Sequence, residues 1–584
     1  MQRSRVRAAG AGVRFDQEVA VGPSRYGRFL GKIAVVCAIA LLAAACGGGG
    51  GGGGTTQSQA KQGGSIVVAA EQWPECLNPI TSCANAAWLV WVGWMHVMPR
   101  LMEVDTKGNF VASDLLVEAP TEQNGGIKEN PFTLTFKLKP EAVWDDGSQI
   151  TSEDVKFTWD AIMKTTGTIG TTGYDLITSI DTSDPKTVVM TFKQPYADWA
   201  DLFGGNNANG VVLKKAAFKG VDLKSEMQNS YPFSGGPWIM KSFSPQQAVL
   251  VRNSKYWNKD KIPHLDQVTF VPRTEQSTEL NSLRTGETLA AFPQPTPAIT
   301  KQLKVPGLKY TAGAGTTYEG LWMNHGVFPF NDPKVRLAFA YGMDRQGVID
   351  SIYKSDFPDM KVLNCAGWVP NVSDWCDDTQ FADITYDPSK AKSILQSDGW
   401  KMGSDGIFTK GGKRLSIQFS TTAGNKTRED TQQLLKEKAK AAGIELAIKD
   451  FPATQLFEDK LPKRDFVLAE YAQVASPDPS VTAILACDQI PSKANNFSGQ
   501  NFLGWCNQQA TQLMKESDKT IDHAQRRTLI QQVGKFERQD VVWVPLFQKP
   551  LLMVWNDNRL AGPIDAYTST SYSGFFNMWA WSLK

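Results

Sequence analysis

The chain has 584 residues, several times the usual single-domain length, so two or more domains with large cores are expected. Hydrophobic residues make up 42% and charged residues 21%, which excludes collagen-like, coiled-coil and wholly disordered chains. With 61 Lys and Arg against 59 Asp and Glu, the net charge of +2 gives no electrostatic footprint for nucleic acid. Four His in the whole chain leave little material for catalytic or metal chemistry.

Residues 1–32 carry Arg3, Arg5, Arg7, Arg14, Arg25, Arg28 and Lys32 against Asp16 and Glu18. An apolar run over residues 33–45 follows and stops at Cys46. A basic region, about a dozen apolar residues and small residues before a cut describe an export signal, and the run is too short for the roughly 20 residues of a membrane span. Ala43-Ala44-Ala45-Cys46 resembles a bacterial lipobox. That resemblance implies cleavage before Cys46 and a diacylglyceryl group on its sulfur, with a plain cut after an A-x-A site as the competing reading. Residues 1–46 are thus expected to be the signal and 47–63, which begin with eight glycines, a flexible tether to the outer face of the cytoplasmic membrane. Removing seven basic and two acidic residues turns the net charge from +2 to −3.

Beyond the tether, residues 65–70 are β-branched and apolar and read as a first strand. Residues 133–138 and 187–193 alternate with period two and read as half-buried strands. Between them Thr151-Ser152-Glu153-Asp154 opens a helix with a capping box, and Val155, Trp159 and Ile162 share one of its faces. Asp332-Pro333 and Asp387-Pro388 each set an N-cap Asp before a Pro at the first helical position. A strand at 414–421, a helix at 427–442 stopped by Gly443 and a strand at 444–450 form a βαβ unit. A last helix at 521–536 turns Leu529, Ile530, Val533 and Phe536 inward. The class is α/β, without internal repeats.

Six Cys of the mature region lie in three close pairs. Export places them in an oxidising compartment, and the spacing predicts disulfides Cys76–Cys83, Cys365–Cys376 and Cys487–Cys506. No C-x-x-C and no His at ligand spacing accompanies them, so no metal site is expected. His96, His264, His325 and His523 are scattered, and H-E-x-x-H, G-x-S-x-G and P-loop patterns are absent from the sequence. Asp145-Asp146 and Asp377-Asp378 are paired acids in turn-like sequence, weak support for a hydrolase. The expectation is a non-enzyme without cofactors.

Several motifs in order resemble one family. Gly63-Gly64-Ser65-Ile66-Val67-Val68-Ala69 with Cys76-Leu77-Asn78-Pro79 resembles the mature start of the bacterial extracellular solute-binding family 5, the oligopeptide- and dipeptide-binding group of ABC importers. The stretch Thr133-Leu134-Thr135-Phe136-Lys137-Leu138-Lys139, then Val143-Trp144-Asp145-Asp146-Gly147 and Thr151-Ser152-Glu153-Asp154-Val155, is similar to its T-F-x-L-[RK], [FW]-x-D-G and D-V run. Gly235-Gly236-Pro237-Trp238, Arg252-Asn253-Ser254-Lys255-Tyr256-Trp257, Pro329-Phe330-Asn331-Asp332, Tyr386-Asp387-Pro388 and Val544-Pro545-Leu546 continue the resemblance to the C-terminal region.

The resemblance implies two α/β lobes of the type II periplasmic-binding-protein fold, joined by hinge strands that close over a ligand. Lobe I is expected at 64–108, 230–315 and 546–584, with an inserted subdomain at 109–229; lobe II is expected at 316–545. It also implies a monomeric receptor that hands a peptide, or another small solute, to ABC permease and ATPase subunits. Oligosaccharide, metal-complex and haem binders of the same fold are the alternatives. In peptide-binding members an Asp four residues before the Pro of a second-lobe D-P motif pairs with the peptide α-amino group; the matching position here is Ala475, so either Glu470 or Asp478 substitutes through a shifted loop, or the ligand lacks that ammonium and is a blocked or modified peptide, a sugar or another small solute. Aromatic residues near candidate pocket loops complete the expected ligand set: Trp73, Trp88, Trp322 with Asn324, Tyr471 and Trp505. Each of these large side chains has core packing as its competing role.

Overall fold

A computed structural model describes residues 61–205, 209–370, 375–477, 480–570 and 572–584, all within the compact unit of residues 59–584. The expected signal, the lipidation site Cys46, most of the tether and Asp478 lie outside the described residues.

The first half of the chain contributes β1 (Ser65–Ala70), β2 (Ile127–Glu129), β3 (Phe132–Lys137), α1 (Ser152–Lys164), β4 (Ile177–Asp181) and β5 (Thr187–Phe192). Alternation does what it predicts in β3: Phe132, Leu134 and Phe136 are buried while Lys137 faces solvent. At the start of α1 the Asp154 carboxylate accepts a hydrogen bond from the Thr151 amide at 2.9 Å, the return half of the expected capping box. Strands β2–β5 form a separate four-stranded antiparallel sheet in the order β2-β3-β5-β4.

There follow β6 (Trp238–Ser244), β7 (Gln247–Arg252), β8 (Gln267–Pro272), α2 (Gln276–Thr285), β9 (Ala290–Ala291) and β10 (Leu308–Met323). Next come α3 (Pro333–Gly342), α4 (Pro388–Ser397), β11 (Ser416–Ser420), α5 (Lys426–Ala441) and β12 (Glu445–Ile448). The chain closes with β13 (Leu468–Val474), α6 (Gln508–Lys519), α7 (His523–Asp540) and β14 (Trp543–Asn556). Asp332 and Asp387 cap α3 and α4 by accepting from the amides of Lys334 and Lys390 at 2.9 and 2.8 Å, and β11-α5-β12 is the parallel unit read from the sequence.

Ten of these strands share one sheet, in the order β12-β11-β13-β10-β14-β9-β1-β8-β7-β6. The two longest, β10 and β14, run through its middle and change partners along their length. Residues 308–314 of β10 pair with 550–556 of β14, whose Val554 and Trp555 also pair with β9. Beyond a register break at Ala314/Tyr318, residues 317–323 of β10 pair with β13 as well as with β14. Gly315 sits in the break, where an added Cβ would collide with the Leu551 side chain and lie 3.2 Å from the Lys549 carbonyl oxygen; only glycine lets the strands come this close.

Hydrophobic cores lie on either side of that break. One gathers β1, β8, α1 and the four-stranded sheet, with Ile66, Trp94, Phe136, Trp238, Phe270, Met553 and Trp581 among its members. Two others gather the later elements: Leu321, Phe339, Phe419, Leu435 and Val544 in one, and Tyr318, Trp322, Tyr471, Trp505 and Trp543 in the next. Two separately packed bodies joined by crossing strands can rotate about the crossing while each stays intact. The three expected disulfides are formed, with Cα separations of 5.7 Å for Cys76–Cys83, 5.1 Å for Cys365–Cys376 and 4.6 Å for Cys487–Cys506. Each staples a short excursion within one body. Among the described residues no helix is long and apolar enough to cross a membrane.

Candidate ligand-binding site

A cavity of about 330 Å³ lies between the two bodies, near the lower end of the roughly 300–1,000 Å³ typical of small-molecule sites. Its first wall comes from the helical stretch around Val90, Trp91 and Trp94, from Tyr174 and Tyr196, and from the loop carrying Asp198, Asp201 and Asn209. The facing wall is the end of β13 and its continuation, Tyr471 to Ser476, with Tyr318, Trp368, Phe457 and Phe502. Backbone and side-chain bonds join the walls around the cavity. Asn85 Nδ2 donates to the Phe457 carbonyl at 3.2 Å and Thr172 Oγ1 to Gln489 Oε1 at 3.2 Å. Ser476 Oγ donates to Asp201 Oδ2 at 2.7 Å, and the Ser480 amide to Asp198 Oδ2 at 3.1 Å. The Ala197 amide reaches the Asp518 carbonyl at 2.6 Å. These bonds hold the bodies together over the cavity.

The chemistry of the lining is lopsided. Trp, Tyr and Phe rings offer broad apolar faces with polar tips, and Gln473, Gln489, Gln500, Ser476 and Ser480 offer neutral donors and acceptors. Among the described lining residues the only ionisable acids are Asp198 and Asp201, each 7% exposed, and none is Lys, Arg or His. Burial drives the Tyr196 hydroxyl well above its ordinary pKa, and the charges of Asp198, Asp518 and Asp201 push it further. The phenol is therefore a neutral hydrogen-bonding group at physiological pH.

Tyr471, Ala475 and Trp88 are the expected ligand residues that reach a cavity. Tyr471 and Ala475 line the main one. Trp88 lines an adjoining space of about 90 Å³ that shares Trp91, Phe457 and Ala472 with it, and donates to Glu71 at 3.2 Å. Trp322 lies behind the wall, sandwiched between Tyr471 (centroids 5.0 Å apart, planes at 20°) and Trp543 (4.5 Å, 4°). Asn324 stays within its own body, where Nδ2 donates to the carbonyls of Arg464 and Phe466 at 3.0 and 2.9 Å. Trp505 donates to Asp540 at 2.8 Å. Trp73 stacks on Phe243 and donates to the Ser244 carbonyl at 3.0 Å. None of these four is among the lining residues.

Glu470 does not supply the acid expected of it. Period two turns it to the face of β13 opposite Tyr471, and it is not among the lining residues. It joins a buried charge network at the strand crossing. There Glu319 of β10 accepts from Arg428 Nε and Nη2, the latter at 2.8 Å, and pairs with Lys549 of β14 at 3.4 Å. Burial opposes the Glu319 charge, yet Arg428 and Lys549 outweigh it and hold the carboxyl below its ordinary value. For Glu470 burial wins, reinforced by Glu319, and its carboxyl is pushed well up. Burial likewise raises Glu71 and lowers Lys549.

Sequence reading missed Asp198 and Asp201. A D-x-x-D in a turn looks like solvated surface, yet both acids are buried and bonded to Ser476 and Ser480 of the opposing body. Of the paired acids that were noticed, Asp145 accepts the Ser234 amide at 2.9 Å and Asp377 the Thr379 amide at 3.1 Å. Asp146 pairs with Lys214. Asp146 also accepts the Ser148 amide at 3.0 Å, so Asp146 and Asp377 serve turns while Asp145 joins two distant segments.

The profile described as bacterial extracellular solute-binding proteins, family 5 Middle, matches residues 116–490. The chain belongs to this family. Among its relatives, the oligopeptide-binding protein AppA of Bacillus subtilis is 24% identical over 497 residues, covering 83% of this chain and 85% of AppA. The solved structure of that AppA in complex with a nonapeptide superposes with a TM-score of 0.77 at 22% identity, covering 90% of this chain and all of AppA. NikZ from Campylobacter jejuni in complex with Ni(L-His) gives a TM-score of 0.75 at 19% identity, over 89% of this chain and 99% of NikZ. The two bodies of this family 5 protein are therefore the lobes of a periplasmic-binding-protein fold, and the cavity lies in the cleft between them.

Proposed function

We propose that this family 5 protein is the extracytoplasmic receptor of an ABC importer, capturing short peptides between its lobes and delivering them unaltered to a membrane permease. The observation that carries this reading is the cavity itself, walled by both lobes, ringed by inter-lobe hydrogen bonds and spanned by the two crossing strands. A ligand that touches both walls favours the closed arrangement by its differential affinity for it, and closure is the signal a permease can read. The aromatic faces and neutral amides of the lining suit a ligand of variable side chains, and the volume suits a short one. The names of AppA and its relatives support peptide as the solute class.

In this reading lobe I is residues 64–108, 230–315 and 546–584 with the subdomain 109–229, lobe II is 316–545, and the mature protein is a monomer held at the membrane by lipid on Cys46. The chain performs no covalent chemistry; ATP hydrolysis by a partner subunit drives transport. Native mass spectrometry of the purified mature protein tests the reading. Peptides retained at one per chain and released with unchanged mass are expected. Retention of metal complexes or sugars alone would replace the solute class, and steady conversion of a bound molecule would refute the receptor role.

A further inference from the structure

Beside the cavity the two bodies also meet through a pair of acids. Glu75 belongs to the segment entering the Cys76–Cys83 disulfide, whose cysteines lie in the first core. Glu458 sits in the helical turn Leu456–Lys460, whose Leu456 lies in a core of the other body. The Glu75 amide donates to Glu458 Oε1 at 3.3 Å, so the Glu458 carboxyl reaches across the interface. Both mountings belong to the cleft wall. Cys83 leads directly into Ala84 and Asn85, which line the cavity, and Phe457 lines it from the other side. Asn85 Nδ2 bonds the Phe457 carbonyl at 3.2 Å. Parting these walls separates Glu458 from Glu75.

The charged groups around this contact are otherwise engaged. On the same turn Asp459 pairs with Lys463, and Lys460 pairs with Asp465 while its Nζ stands over the Phe451 ring at 5.4 Å. The facing turn Ser82–Asn85 carries no acid or base apart from the disulfide-bonded Cys83. Tyr471, edge-on to Phe457, is kept neutral by burial. Arg428, which shares the adjoining space with Phe457, is taken up by Glu319. Among the described residues the Glu75 carboxylate is the one charge acting on half-buried Glu458. Burial pushes the Glu458 carboxyl up to about 8; the Glu75 amide works against the rise, and the Glu75 carboxylate adds to it by its charge and by accepting a hydrogen bond from the protonated acid.

We propose that Glu75 and Glu458 are a proton-operated latch between the lobes: closing takes up a proton from water at this carboxyl pair, so the protein holds solute tightly in acidic surroundings and releases it as they become neutral. The inference goes beyond the receptor reading and uses from it only the coupling of capture to closure. Two carboxyls brought together without a cation favour a shared proton, because the neutral acid can donate to the remaining carboxylate. Opened to water, Glu458 returns to its ordinary value of 4.5. A group raised on closing favours the closed form fully below its open-form value, and the advantage is lost as pH rises through the closed-form one. For Glu458 that window runs from 4.5 to about 8, with capture strongest at its acid end.

The test uses the full mature protein and a pool of tripeptides of Ala, Gly, Phe and Tyr with free termini, whose charges change little between about pH 5.5 and about pH 7.5. Equilibrium dialysis read by mass spectrometry gives the affinity at both. Wild type is expected to bind about 10- to 100-fold more tightly in acid, the upper figure being one proton per capture over about two pH units. Glu458→Gln keeps the shape of the protonated acid, and its affinities at the two pH values are expected to agree within about three-fold. Glu75→Gln, on an exposed side chain, should move the fall in affinity to lower pH because the like charge is gone. It carries the comparison if thermal melting shows Glu458→Gln unfolded. Wild-type affinity that changes by less than about two-fold, or a full pH dependence that survives in folded Glu458→Gln, overturns the latch and leaves the receptor reading standing. If the pool is retained at neither pH, the peptide reading fails and small-angle scattering without solute decides the latch. A radius of gyration smaller in acid for wild type but equal at both pH values for Glu458→Gln supports it, and a wild-type radius unaffected by pH overturns it.

Discussion

Replacing Arg428 by methionine is expected to destabilise the protein by about 3–5 kcal/mol, the usual cost of removing one partner from a buried ion pair. The guanidinium is 4% exposed and bonds both Glu319 oxygens and Thr422 Oγ1. Without it Glu319 keeps only Lys549, at 3.4 Å and itself buried. The pair ties α5 to β10 beside the strand crossing. Urea unfolding followed by tryptophan fluorescence reads the effect. The double variant Arg428→Met with Glu319→Gln should recover part of the loss, because it no longer leaves a carboxylate without its guanidinium. A loss below about 1 kcal/mol in the single variant would show that the network does not hold the crossing together.

Trp322→Ala is expected to cost a similar 3–5 kcal/mol, the range for emptying a buried Trp position. The ring is 3% exposed, lies between Tyr471 and Trp543, and donates from Nε1 to the Tyr471 carbonyl at 2.8 Å. Because Tyr471 forms part of the cleft wall, ligand affinity should weaken together with stability. Trp322→Phe keeps a ring in the stack while losing the hydrogen bond, and should fall between wild type and Ala. Thermal and urea unfolding measure the first effect and calorimetry with a retained peptide the second. A stable Trp322→Ala protein that binds poorly would instead make Trp322 a direct ligand contact.

Local structure was the most legible part of the sequence. Caps and turns are short-range chemistry, so Thr151 with Asp154, Asp332 before Pro333 and Asp387 before Pro388 could each be read from a few residues. The helix read at 427–442 lies at Lys426–Ala441, and the one read at 521–536 runs on as His523–Asp540. The cysteine pairs were legible because their partners are neighbours in sequence as well as in space.

The cleft was much less legible. Its walls draw on residues within 84–94, 169–205, 209, 318, 367–368, 457–476, 480–502 and 572, and no local pattern announces which of them will meet. Strand alternation could have separated Tyr471 from Glu470, since adjacent residues of one strand face opposite sides. Nothing local could have told Asp198 and Asp201 from ordinary turn acids, because the partners that meet them, Ser476 and Ser480, lie 275 and 282 residues away. The tryptophans divide in the same way. Trp91 and Trp94 reach the cavity, while Trp322 and Trp505 were placed near it by position yet pack behind it.

The central claim is that ligand binding and lobe closure are one event. In this structure hydrogen bonds join the two lobes beside the cavity, so parting the lobes breaks those bonds and exposes both walls. Small-angle X-ray scattering of the mature protein, first stripped of cargo and then saturated with a retained peptide, measures this directly. The account predicts a radius of gyration that falls on saturation and returns when the peptide is removed. Superimposable curves, with binding verified in the same samples, would contradict it.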